Sequence, residues 1–84
     1  IFKMYHCYIL QSLTNGDYYI GCTDDCKARL KLHNVGGVKS TKYAMPWKII
    51  YFESFTTLKE ARKRELQIKK WKSRKAVERL IQKI

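Results

Sequence analysis

An Asn15-Gly16 pair stands between two short runs of aromatic and β-branched residues, and this feature most restricts the folds open to the chain. Asn-Gly readily supplies the positive φ angles of a tight hairpin turn. Residues 4–11 (MYHCYILQ) and 18–22 (YYIGC) therefore read as antiparallel strands joined by residues 12–17. With a four-residue loop over residues 12–15, Gln11 pairs with Gly16 and Tyr8 lies directly opposite Tyr19. Directly opposed residues share a face of the sheet, so the two phenols are expected side by side.

Thr23, Asp24 and Asp25 offer N-caps for a helix over residues 26–34. At about 100° per residue, Cys26, Arg29, Leu30 and His33 share one face, whereas Lys27 and Lys31 point elsewhere and can stay in water. Residues 34–45, with Gly36-Gly37 and Lys39-Ser40-Thr41-Lys42, read as a loop with room for one helical turn. Residues 47–55 (WKIIYFESF) have the content of a third strand. Thr56 or Thr57 can cap a helix reaching about Lys72. Ser73 can cap a last helix with an apolar face of Val77, Leu80, Ile81 and Ile84. The expected fold is α/β in the α+β sense: a three-stranded antiparallel sheet flanked by helices, in the order β-β-α-β-α-α, as a single domain over residues 1–84.

The chain has 84 residues, 18 Lys and Arg against 7 Asp and Glu, and a formal net charge of +11. At 45% hydrophobic and 13% aromatic residues it is too apolar for a disordered basic tail. Most of the excess charge lies in the second half. A potential this positive points to a polyanionic partner, with nucleic acid ahead of an anionic membrane surface. No apolar run of about 18 residues predicts a transmembrane helix, and residues 1–11 lack the pattern of a secretory signal. Three cysteines, Cys7, Cys22 and Cys26, form no even disulfide framework and fit a reducing, cytoplasmic setting. Cys22 and Cys26 have no second Cys/His pair at zinc spacing.

Glu65 is the most informative single residue. It falls on the helical stripe of Leu58, Ala61 and Ile68, where a carboxylate aimed at a core costs several kcal/mol unless paired or bound to metal. An ion pair with Arg29, or an edge position reaching water, are the plain alternatives. Arg29 and His33, one turn apart, and Tyr8 and Tyr19 are each accounted for singly by structure. Their convergence with Glu65 in one cleft would supply a base, an anion stabiliser and a metal ligand, the parts of a phosphodiester hydrolase.

At these positions the chain resembles the GIY-YIG nuclease domain family, most closely its small stand-alone branch. Tyr19-Ile20-Gly21 is the second half of the family name. His6-Cys7-Tyr8 keeps the tyrosine of the first half but not its glycine. Arg29 stands at the position of the family's catalytic arginine, His33 at its His/Tyr position, and Glu65 at its metal-binding glutamate. The match extends through Asn34, the Ser40-Thr41-Lys42 loop, Pro46-Trp47-Lys48 and Trp71.

The resemblance implies a GIY-YIG-like fold and a metal-dependent endonuclease acting on DNA rather than RNA, with structure selectivity and a part in repair or recombination as further expectations. Glu65 would hold one Mg2+ or Mn2+. Arg29 would bind the scissile phosphate, and Tyr8, Tyr19 or His33 would take the proton of the attacking water. A tyrosine base calls for a pKa depressed by nearby cations. Gly21, Lys27, Lys31, Lys42, Lys69 and Lys72 are the expected nucleic-acid contacts, and the length leaves nothing over for a targeting domain. A non-catalytic nucleic-acid-binding module of the same fold is the alternative.

Overall fold

β1 (Tyr5–Ser12) is the middle strand of a three-stranded antiparallel sheet, with β2 (Tyr18–Thr23) on one side and β3 (Trp47–Phe55) on the other. A computed structural model describes residues 3–82, so Ile84 and Lys83 lie outside the described residues. After β2 come α1 (Cys26–Asn34) and a short 3-10 helix (Lys39–Ala44). After β3 come α2 (Leu58–Trp71) and α3 (Arg74–Ile81). The expected element order is present, with the 3-10 helix filling the loop that had room for one turn.

The helices begin where side chains can satisfy free backbone N–H groups. The side chains of Asp25, Thr57 and Ser73 accept from the backbone N–H of Ala28, Glu60 and Ala76 respectively. α2 ends at Lys72 in the left-handed region, with φ 46.

The hairpin register differs from the sequence expectation. Tyr8 pairs with Gly21, Leu10 with Tyr19 and Gln11 with Tyr18, so Tyr8 is not directly opposite Tyr19. The cause lies in the turn. The Ser12 hydroxyl oxygen accepts from the backbone N–H groups of Thr14 and Asn15 at 3.0 and 3.1 Å, and Asn15 Oδ1 accepts from Asp17 N–H at 3.0 Å. These bonds set a longer loop over residues 13–17, with Gly16 at φ 77. The slip amounts to two residues. Because side chains alternate with period two, Tyr8 and Tyr19 stay on the same face as diagonal neighbours, their ring centroids 6.4 Å apart.

β1 is covered on both faces, which is why Cys7, Tyr8, Ile9 and Leu10 are all buried. Cys7 and Ile9 face Ile68 of α2 and Val77 and Leu80 of α3. Tyr8 and Leu10 face Ala44, Trp47 and, at the margin, Cys26 and Leu30 of α1. On the expected stripe of α2, Ala61 and Ile68 are buried, whereas Leu58 at the first turn is exposed. Arg64, the residue before Glu65, ties α2 to β3. Its guanidinium donates to both carboxylate oxygens of Glu53 on β3, at 2.9 and 3.1 Å, and lies 5.6 Å from the Trp71 ring centroid.

Ile68→Ala is expected to destabilise the protein by about 2–5 kcal/mol through lost burial and the cavity left behind. Leu66→Ala, at a position 58% exposed, should fall within about 0.5 kcal/mol of the parent. Urea unfolding of both variants checks the contrast; equal losses would contradict the assignment of the buried face.

Candidate active site

Four elements deliver side chains to one cleft of about 200 Å³ beside β2. β1 and β2 contribute Tyr8, Tyr19, Gly21 and Cys22. α1 contributes Arg29 and His33, and α2 contributes Arg62 and Glu65. The structure thus brings together all five residues singled out for catalysis in the sequence. α1 does this because Cys26, Arg29, Leu30 and His33 form its inward face, while Lys27 and Lys31 are exposed as expected.

His33 is the most buried polar group of the cleft, 1% exposed. Its Nε2 lies 3.0 Å from the Tyr8 hydroxyl and its Nδ1 2.7 Å from Thr41 Oγ1. Burial, helped by the Arg29 charge, holds its pKa below the usual 6.5, so the ring is neutral at physiological pH. Tyr19 packs edge-on against His33, with centroids 5.0 Å apart, and against Trp47 at 6.4 Å.

The expected depression of a tyrosine pKa is not found at Tyr8. Burial first, and the neighbouring Tyr19 second, push its phenol upward, and the opposing pull of Arg29 does not outweigh them. In this cleft the phenol has a hydrogen-bond partner in the imidazole, rather than an intrinsically low proton affinity.

Glu65 faces the cleft with its side chain 16% exposed. It is not paired with Arg29, the plain alternative raised by the sequence. Cys22 Sγ donates to Oε1 at 2.6 Å and Lys69 Nζ donates to Oε2 at 2.6 Å, one helical turn on. Burial, together with this hydrogen bond, pushes the Cys22 thiol up to about 12, so it is a donor and not a thiolate. Among the described residues no cluster of three His, Cys, Asp or Glu side chains could cage a metal. A single carboxylate lining an open cleft suits a hard cation such as Mg2+ or Mn2+, whose remaining ligands are water and phosphate oxygens.

The other expected contacts divide. Gly21 lines the cleft and Lys69 touches it through Glu65, but Lys27, Lys31, Lys42 and Lys72 are exposed and do not line it. Gly21 is there for space: a Cβ would sit 2.6 Å from Tyr8 Oη and 2.8 Å from Tyr8 Cζ. Sequence reasoning missed Arg62, Cys22 and Thr41 as members of the site. Arg62 precedes Glu65 by three, the spacing of neighbours on one helix face, so its signal was available. Cys22 reads from the sequence as a strand residue with a plain thiol and no zinc partner pair, and Thr41 lies in a segment without periodicity.

Comparison with known proteins gives a consistent answer. Residues 4–78 match the model of the GIY-YIG catalytic domain. A UPF0213 protein of Bacillus licheniformis is 41% identical over 78 residues, covering 92% of this chain and 79% of the relative. A UPF0213 protein of Halobacterium salinarum is 39% identical over 67 residues, covering 79% and 86%. The solution NMR structure of a UPF0213 protein from Bacillus halodurans is 31% identical and superposes with a TM-score of 0.60, covering 94% of this chain and 83% of that one.

Two outcomes follow from the cleft. Gly21→Ala should displace the Tyr8 ring from His33 and cost about 1–3 kcal/mol, read as a lower urea midpoint. His33, neutral when folded, contributes stability that is complete above the unfolded value near 6.5 and is lost as pH falls through its lower folded value. The slope is at most about 1.4 kcal/mol per pH unit. Urea midpoints between about pH 5 and 7 should decline toward acid in the parent and less so in His33→Asn; parallel declines would remove His33 as the cause.

Proposed function

The chain belongs to the GIY-YIG family, and from that premise we propose that it is a divalent-metal-dependent endonuclease that hydrolyses phosphodiester bonds in DNA. The observation that carries the proposal is the convergence of a phenol–imidazole pair, an arginine and a carboxylate in one cleft. These groups are the minimum set for attack of water on a phosphate diester.

In this reading Arg29 binds the non-bridging oxygens of the scissile phosphate and stabilises the charge that builds on them as the pentavalent transition state forms. Arg62, on the opposite element, can take a neighbouring phosphate. The Tyr8 oxygen accepts a proton from the attacking water while the phenolic proton passes to Nε2 of His33, 3.0 Å away. Tyr19 shields that pair from solvent by packing on the imidazole. Glu65 would hold the Mg2+ or Mn2+, which when bound supplies Lewis-acid stabilisation of the departing 3′ oxygen. Lys69, next to Glu65, is placed to meet backbone phosphate when DNA enters.

The exposed Lys27, Lys31, Lys42 and Lys72 contact phosphates further along the strand. Such contacts position the duplex and do not specify sequence, so selectivity for branched, flapped or damaged DNA is the expectation. That preference would place the protein in repair or recombination. The three free thiols, Cys7, Cys22 and Cys26, fit a reducing cytoplasmic setting.

One observation favours a second reading, a DNA-binding module without cleavage. Both oxygens of Glu65 are already hydrogen-bonded, to Cys22 and Lys69. Incubation with linear, nicked, flapped and branched DNA, with and without Mg2+ or Mn2+, separates the two. The nuclease cuts at least one of these only with metal, and Glu65→Gln and Arg29→Ala each reduce the rate by about 100- to 1,000-fold with folding retained. Either variant cutting like the parent would refute the assigned roles. Binding without cleavage, with log affinity falling on log salt at a slope of about −0.9 per phosphate contact, identifies the module.

A further inference from the structure

The hydrogen-bond chain behind His33 has a direction, and that direction rests on a residue with no role in the reading above. Thr41 is 1% exposed on the 3-10 helix. Its Oγ1 lies 2.7 Å from His33 Nδ1 and 3.3 Å from the Val38 carbonyl oxygen. A hydroxyl carries one proton. Donated to Val38, that proton leaves Oγ1 as the acceptor of a hydrogen bond from Nδ1–H. Nε2 then presents its lone pair to the Tyr8 hydroxyl at 3.0 Å. Every buried proton in the series, from Tyr8 through His33 and Thr41 to Val38, has an acceptor. In the opposite tautomer Nε2–H would aim at the Tyr8 oxygen, and the phenolic proton would lose its protein acceptor and have only water of the cleft to meet.

The segment that carries Thr41 is itself held. The Thr41 N–H donates to Val38 O at 3.1 Å, and the Thr41 carbonyl accepts from Trp47 Nε1 at 2.8 Å. The Asn34 side chain grips the Trp47 backbone on both sides, accepting from its N–H at 2.6 Å and donating to its carbonyl at 2.9 Å. The hydroxyl therefore meets the imidazole at a fixed place.

We propose that Thr41 is a positioning residue that locks His33 in the Nδ1–H tautomer, so that Nε2 is the acceptor for the Tyr8 proton; its catalytic consequence rests on the nuclease reading given above. The imidazole orientation is then set by the 3-10 helix and not by α1 alone. This assigns the loop between α1 and β3 a part in the chemistry.

Imidazole nitrogen shifts of His33, measured by long-range proton–nitrogen NMR on the intact chain without DNA, test the tautomer directly. The parent and Thr41→Ser should show a pyrrole-like Nδ1 and a pyridine-like Nε2. Thr41→Val, and Thr41→Ala should the valine variant fold poorly, should show mixed or reversed character. In cleavage assays Thr41→Val should lose about 10- to 100-fold in kcat with KM little changed, the size typical of a lost partner behind a functional histidine, and Thr41→Ser should recover most of it. An Nε2–H parent, or a Thr41→Val chain with the parent's shifts, overturns the proposal whatever the activity. A parent with the expected shifts that cuts no DNA supports the tautomer lock and overturns the nuclease reading instead.

Discussion

A strand covered on both faces cannot leave a polar atom without a partner, and β1 is such a strand. Cys7, Ile9 and Leu10 meet this condition by being apolar or nearly so. Tyr8 meets it because His33 arrives from α1 to share a hydrogen bond with its hydroxyl. The imidazole, itself buried, requires a partner for its second nitrogen and finds Thr41. One burial requirement in the middle strand is thereby passed outward through α1 to the 3-10 helix. The same groups that satisfy the core are those a proton would follow in the proposed reaction, so folding and that proposed transfer draw on one hydrogen-bond series.

Much of the scaffold was legible in the residues. Asp25, Thr57 and Ser73 announce helix starts, and the hairpin, the third strand and the inward face of α1 stand where composition and periodicity put them. The register did not follow, because the Ser12 hydroxyl reaches two backbone N–H groups and lengthens the turn. Nothing in the Asn15-Gly16 signal encodes that. The error left the faces intact since the slip was even. Leu58 fits the helical stripe of α2 yet is exposed at its first turn. One partner of Glu65 was hidden for a different reason: Cys22 reaches it across 43 positions of chain, and no local pattern reports a contact of that range, whereas Lys69 is an i,i+4 neighbour.

The charge of +11 is also more divided than a count suggests. Arg64 is committed to Glu53 and Trp71, and Arg74 to the Gly16 carbonyl and the face of Tyr18. These cations bind the protein to itself. Arg29 and Arg62 are directed into the cleft, while Lys27, Lys31, Lys42 and Lys72 remain in water. A uniform basic coat would attract a polyanion without orienting it. Here two guanidiniums line the cleft, the Lys69 ammonium meets its carboxylate, and the four exposed ammonium groups lie outside its lining.

The Asn34 amide occupies the place a neighbouring strand would take against Trp47, offering one acceptor and one donor to the same residue. With a separation of 13 positions, it closes the intervening segment into a ring. Closing a loop of that size carries an entropic cost of order (3/2)RT ln n, roughly 2 kcal/mol before the constant part. That cost is met locally at the ends of α1 and β3. The segment can therefore change its outward residues without loosening the inward one, and variation on its rim is separated from precision at its centre.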